Sequence, residues 1–227
     1  YFELYPKERV PVARTPDNYA KTVPAAALGS AKREQDQMDD NLRREALQAY
    51  WASISFMDAQ VGKVLDALQQ LGLAENTIVV MTSDHGYHLG EHGLWQKQSL
   101  FEQSARVPLI IATPGLKTAG KTSPRLVELV DLYPTLTQAC GFPPPKHVQG
   151  QSLLPLLENP EATGKPAALT QVFRGKRDGP GFMGYSLRTE NFRYTVWDNG
   201  AARVELYDHR TDPQPYRNPA ENPQPAP

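Results

Sequence analysis

The chain has 227 residues with a formal net charge of -1, and 40% of it is hydrophobic, enough for one substantial core with a small appended subdomain. The near-neutral balance gives no basic surface for nucleic acid and no polybasic membrane patch, and no apolar run approaches the ~20 residues of a membrane span. A single cysteine, Cys140, excludes an internal disulfide and any cysteine-rich zinc site.

Tyr1-Phe2-Glu3-Leu4-Tyr5 lacks a basic stretch followed by a long apolar one, so it does not read as a signal peptide. With no initiator Met, the true N-terminus is expected upstream. Residues 1–38 alternate prolines with charged and small residues and predict an extended surface segment. From about Asp40, Leu47, Tyr50, Trp51, Ile54, Met57, Val61, Val64, Leu65, Leu68 and Leu71 recur at three- and four-residue steps, the apolar face of one helix. Asp39 or Asp40 suits its start and Gly72 its left-handed end.

Thr77-Ile78-Val79-Val80-Met81-Thr82 has the β-branched, continuously apolar character of a strand buried on both faces. Val107–Ala112 and Leu126–Val130 predict two further strands. Asp131 reads as the cap of a short helix, Leu132–Ala139, which Gly141 ends. Helix, strand, strand, strand, helix predicts a layered α/β sheet. After about Pro160, Ala168–Arg174, Met183–Thr189, Phe192–Trp197 and Arg203–Tyr207 are short, partly alternating runs that predict a small antiparallel sheet. The division is therefore 1–160, 161–212 for the antiparallel subdomain, and a loosely ordered, Pro- and Asn-rich tail at 213–227. Arg174–Tyr185 reads as a solvated loop, with a pocket wall beside an anionic ligand as the lesser reading.

The chemistry concentrates in Ser83-Asp84-His85-Gly86-Tyr87-His88-Leu89-Gly90-Glu91-His92-Gly93-Leu94-Trp95-Gln96-Lys97. Three of the five histidines fall within eight residues, just past the carboxyl end of a strand, where open α/β sheets bind ligands. Asp84 and His85 can serve a divalent metal: oxygen-rich company favours calcium or magnesium, nitrogen-rich company zinc. Asp84 could equally be a turn former. Gly86 permits a tight bend, and Lys97 can reach an anion. His88 and His92, four residues apart, could also ligate a metal, but exposed loop histidines are the favoured reading.

This stretch, with Arg106-Val107-Pro108-Leu109, Ser53–Gly62, Val130–Leu136 and Glu205-Leu206-Tyr207-Asp208, resembles the type I sulfatases, in the branch of bacterial iduronate-2-sulfatase-like enzymes. The matches cover about residues 45–212. The resemblance implies part of an alkaline-phosphatase-like α/β fold, a mixed sheet sandwiched by helices, followed by a small antiparallel C-terminal subdomain. It makes Asp84 and His85 calcium ligands (magnesium being the less suited ion) and Lys97 the contact to the sulfate group. His92 and Trp95 become wall residues of the substrate pocket. His85 must be neutral to ligate, so a site weakened at acid pH is implied.

Such enzymes attack sulfur with a formylglycine made from a Cys/Ser-x-Pro/Ala-x-Arg motif. None is present here, since Cys140 in Ala139-Cys140-Gly141-Phe142-Pro143 lacks the arginine and reads as a small hydrophobe. The resemblance therefore implies a C-terminal portion whose partner is the N-terminal half of the same fold, and which is inactive alone. It also implies a sulfated carbohydrate substrate and a periplasmic or secreted location. Two alternatives stand beside this reading: a phosphomonoester or phosphonate hydrolase of the same superfamily, and a non-catalytic fragment or assembly module.

Overall fold

The computed structural model describes residues 1–175, 178–212 and 216–221. The first 38 residues are irregular, broken by short helical turns that include α1 (Tyr19–Thr22). Most of this segment is exposed, as expected, but a few side chains anchor it to the interior. Val10, Tyr19, Val23 and Ala27 are each at most 3% exposed and pack against elements far along the chain.

α2 (Asp40–Gln70) begins where Asp39 Oδ1 accepts from the Leu42 N–H at 2.8 Å, and the chain turns away at Gly72 with φ +68°. Its apolar face is the one the spacing predicts. Only Leu47 and Ala52 on it are buried, however, Leu47 packing with Val10 and Trp95. Ile54, Met57, Val61 and Leu65 are 39–46% exposed, which leaves the second half of the stripe uncovered by the described residues.

β1 (Val79–Thr82) pairs antiparallel with β2 (Leu109–Ala112), Val79 opposite Ala112 and Thr82 opposite Leu109, with α3 (Glu102–Ala105) between them in sequence. The expectation of burial on both faces fails here, since Met81 is 38% and Ile110 60% exposed. The predicted strand at Leu126–Val130 reduces to one bridge, Leu126 to Lys165, followed by a helical turn at Leu129–Asp131. The reason is local satisfaction of the backbone. The Glu128 N–H donates to Asp131 Oδ2 at 2.9 Å and the Asp131 N–H returns to the Glu128 carbonyl at 2.9 Å, so these groups do not seek a neighbouring strand.

α4 (Leu132–Ala139) follows and ends at Gly141, φ +83°. The Asp131 side chain does not cap it. It is fully buried, accepts from the Gln151 N–H at 2.8 Å and meets Lys165 Nζ at 2.6 Å. Lys165 also reaches Glu128 at 2.5 Å, closing an ion triad; in sequence it lies between α5 (Leu154–Glu158) and the last sheet.

That sheet is a meander of β3 (Ala168–Gly175), β4 (Gly181–Arg188), β5 (Phe192–Trp197) and β6 (Val204–Asp208), each antiparallel to the next. Alternation decides its faces: on β5, Arg193, Thr195 and Trp197 are buried while Tyr194 is 44% exposed. Trp197 and Tyr207 join Tyr19, Leu94, Leu100 and Phe101 in the main core, so the meander and the segment around Lys97 share one interior. Beyond β6, the Asn218 side chain accepts from the Leu206 N–H at 3.0 Å. The rest of the expected loose tail, 213–215 and 222–227, lies outside the described residues. No helix among the described residues is long and apolar enough to cross a membrane.

Candidate active site

The corner after β1 is set by short polar contacts. The His85 N–H donates to Asp84 Oδ1 at 3.0 Å, and Ser83 Oγ donates to the His85 carbonyl at 2.7 Å. His85 Nδ1 lies 2.8 Å from the Gly86 carbonyl. A carbonyl only accepts, so Nδ1 carries a proton, and a ring protonated there alone leaves the Nε2 lone pair free. Nε2 faces Asp84 Oδ2 at 3.4 Å. Two electron-rich atoms facing at that distance suit a cation between or beside them. The carbonyl-bound Nδ1 is the usual support for a ligating imidazole.

Gly86 is required by proximity more than by a bend. Its N–H donates to the Ser104 carbonyl at 2.9 Å, and a methyl group there would overlap the Gln103 carbonyl oxygen.

Asp84, His85 and Lys97 line one cavity of about 810 Å³, within the usual range for ligand pockets. α3, residues 123–130 and strand β3 form its other walls. Lys97 is exposed, and no ion pair to it occurs among the described residues. Arg188 and Arg193 reach the cavity from β4 and β5, and Glu102 from α3. Arg193 Nη2 meets Glu102 Oε2 at 2.5 Å and Arg188 Nε meets it at 3.3 Å. Burial pushes the Glu102 carboxyl up, but Arg193 and Arg188 outweigh it and hold it below the usual range. The sequence reading missed this cluster. Its signal was an arginine at an inward position of an alternating strand, which demands a buried counter-charge.

His92 and Trp95 do not reach the cavity. The His92 ring stacks on Phe101 with centroids 3.8 Å apart, its Nδ1 hydrogen-bonds the Tyr19 hydroxyl at 2.5 Å, and the residue is 2% exposed. Trp95, 7% exposed, packs with Val10 and Leu47. Both lie inward because Gly90 and Gly93, with φ +113° and +72°, fold the segment back on itself. His88 is also fully buried, with Nε2 2.7 Å from Ser99 Oγ. The expectation of two exposed loop histidines is therefore corrected. Desolvation lowers His88 to about 4 and His92 to about 3, and both are neutral at pH 7.

The comparisons follow this geometry. The family model described as Sulfatase matches residues 12–142, and that described as N-sulphoglucosamine sulphohydrolase, C-terminal, matches residues 90–227. Iduronate 2-sulfatase of Mus musculus is 34% identical across 86% of this chain and 48% of its own length. A solved structure in complex with its substrate D-glucosamine-2-N,6-O-disulfate superposes with TM-score 0.74 at 32% identity, over 84% of this chain and 40% of that one. The phosphonate monoester hydrolase of Agrobacterium radiobacter gives TM-score 0.84 at 24% identity, over 97% and 49%, a likeness of fold alone.

The fold is thus part of the alkaline-phosphatase-like α/β architecture. Within it, the chain belongs to the sulfatase family, with iduronate 2-sulfatases among its relatives. It spans about half the length of the curated relatives it matches.

Proposed function

We propose that this chain forms the sulfate-facing part of a sulfuric ester hydrolase acting on sulfated sugars, completed by an N-terminal half of the same fold. The observation that carries the reading is the convergence of Asp84, His85 and Lys97 on one cavity. Lys97 brings an ammonium to the sulfate oxygens, where a positioned cation favours the charge that develops as the ester bond breaks. The named substrates of the relatives, an iduronate sulfate and a glucosamine disulfate, support a sulfated sugar.

Asp84 Oδ2 and His85 Nε2 would hold calcium, their donor types and the carbonyl-bound Nδ1 fitting such a role. Bound there, calcium would supply positive charge beside the sulfate group. Calcium takes 6–8 oxygen-type ligands, and no group of three or more His, Cys, Asp or Glu side chains stands together as a metal site among the described residues. In this reading the other ligands and the formylglycine nucleophile come from the N-terminal half, and the isolated chain turns over no sulfate ester. The uncovered stripe on α2 supports a covering half.

The test assays the chain alone, and joined to an upstream half with the nucleophile motif, on an aryl sulfate and an aryl phosphate. Sulfate release by the joined protein alone, lowered about a hundredfold in Lys97→Ala, supports the reading. Faster phosphate release would move the assignment to a phosphoester or phosphonate hydrolase. Sulfate release by the isolated chain would overturn the division of the site.

A further inference from the structure

Lys97 is followed by Gln98, whose φ of +66° lies in the left-handed region that disfavours any residue with a side chain. Such a bend persists only where its surroundings hold it. The Gln98 carbonyl accepts from Arg174 Nη2 at 2.7 Å, across 76 residues of sequence. Through Nε the same guanidinium donates to the Ala26 carbonyl of the N-terminal strap, also at 2.7 Å.

Arg174 is itself fixed on three sides. Its guanidinium carbon lies 5.1 Å from the centre of the Trp197 ring, a cation–π arrangement. The Trp197 indole N–H donates to Glu205 at 2.7 Å, and Glu205 is 2% exposed, so a buried carboxyl at the ring's edge holds the indole in place. Gly29 closes the third side, where a methyl group would come within 2.8 Å of Arg174 Nε. Arg174 lies in strand β3 and not in a solvated loop, and it is not among the residues lining the cavity.

We infer that Arg174 is a positioning residue: by holding the Gln98 carbonyl it fixes where Lys97 presents its ammonium to the sulfate ester. The inference rests on the proposed sulfatase reading. A guanidinium suits the task because its rigid fork serves two carbonyls at once, which a lysine ammonium on a flexible stem cannot do in the same geometry.

The experiment uses the full-length polypeptide and an aryl sulfate, comparing wild type, Arg174→Lys, Lys97→Ala and the double variant. Arg174→Lys lowers kcat/KM about tenfold, and lowers it less than about twofold further when Lys97 is already alanine. Gln98→Gly in the Arg174→Lys background restores part of the loss, because glycine accepts the positive φ without strain. In parallel, hydrogen exchange over residues 94–101 rises in Arg174→Lys while β4–β6 keep their protection. Losses that multiply fully in the double variant would overturn the inference, as would unchanged exchange over 94–101. If wild type releases no sulfate, the sulfatase reading fails, and the exchange result still decides whether Arg174 holds the Lys97 segment.

Discussion

The Gly86 N–H and the Ser104 carbonyl, 2.9 Å apart, lace the Asp84–His85 corner to the last turn of α3. The approach is close enough that a methyl group at 86 would overlap the Gln103 carbonyl oxygen. Gly86→Ala must therefore push the corner and the helix apart. A loss of about 2 kcal/mol is expected, typical of overpacking where backbone must move, measured by urea unfolding of the chain. An unchanged midpoint would show that the two segments separate freely.

Acid should weaken this fold through its buried histidines. His88 and His92 have folded-state values of about 4 and 3, against about 6.5 when unfolded. The native state keeps both neutral, so their contribution is whole above pH 6.5 and is lost as pH falls toward 4 for His88 and toward 3 for His92. The loss is on the order of 3 kcal/mol for His88 if the full interval is traversed. Glu205 works in the opposite sense, because burial raises it against the Trp197 and Tyr207 donors. The histidine part is isolated by comparing wild type with His88→Gln at pH 7 and pH 5. The variant should lose less stability between the two, and equal losses would remove His88 from the account.

The Lys165 triad is a point of fragility of another kind. Its ammonium sits between Glu128 and the fully buried Asp131, at 2.5 and 2.6 Å. Lys165→Met keeps the stem but strands a buried carboxylate. Breaking such a pair costs about 3–5 kcal/mol. Lys165→Met combined with Asp131→Leu should recover part of that loss, read again from urea midpoints.

Calcium gives a prediction on the full-length polypeptide. Saturating calcium should raise its melting temperature, and Asp84→Asn should reduce the rise, since anything binding only the native state stabilises it. On the 227 residues alone the same addition should produce little shift. An equal shift in both would mean that the ligands all lie within this chain.

Much of the fold was legible because its signals are local. The α2 stripe, its Asp39 cap, α4 and the four strands of the meander follow from spacing, capping and alternation. Leu126–Val130 misled because a β-branched apolar run says nothing about where its backbone hydrogen bonds go, and here Asp131 takes one of them. Residues 1–38 were legible as an irregular surface segment but not as an anchored one, since Tyr19 and Val23 become interior only through distant partners. The site divided in the same way. Asp84, His85 and Lys97 stand close in sequence and meet at one cavity, whereas the inward turn of His92 depends on two glycines and on Phe101. Glu102 and Arg174 act across 76 to 91 residues, a distance no periodicity reports.

The meander joins each strand to its successor in sequence, so its contacts are short-range and suited to early formation. The segment bearing Lys97 is closed instead by ties from Ser30, Arg174 and Arg193, separated from it by 66 to 91 residues. The expected folding order is sheet first and sulfate-facing segment last. Substitutions in those ties should then speed unfolding and leave the folding rate nearly untouched.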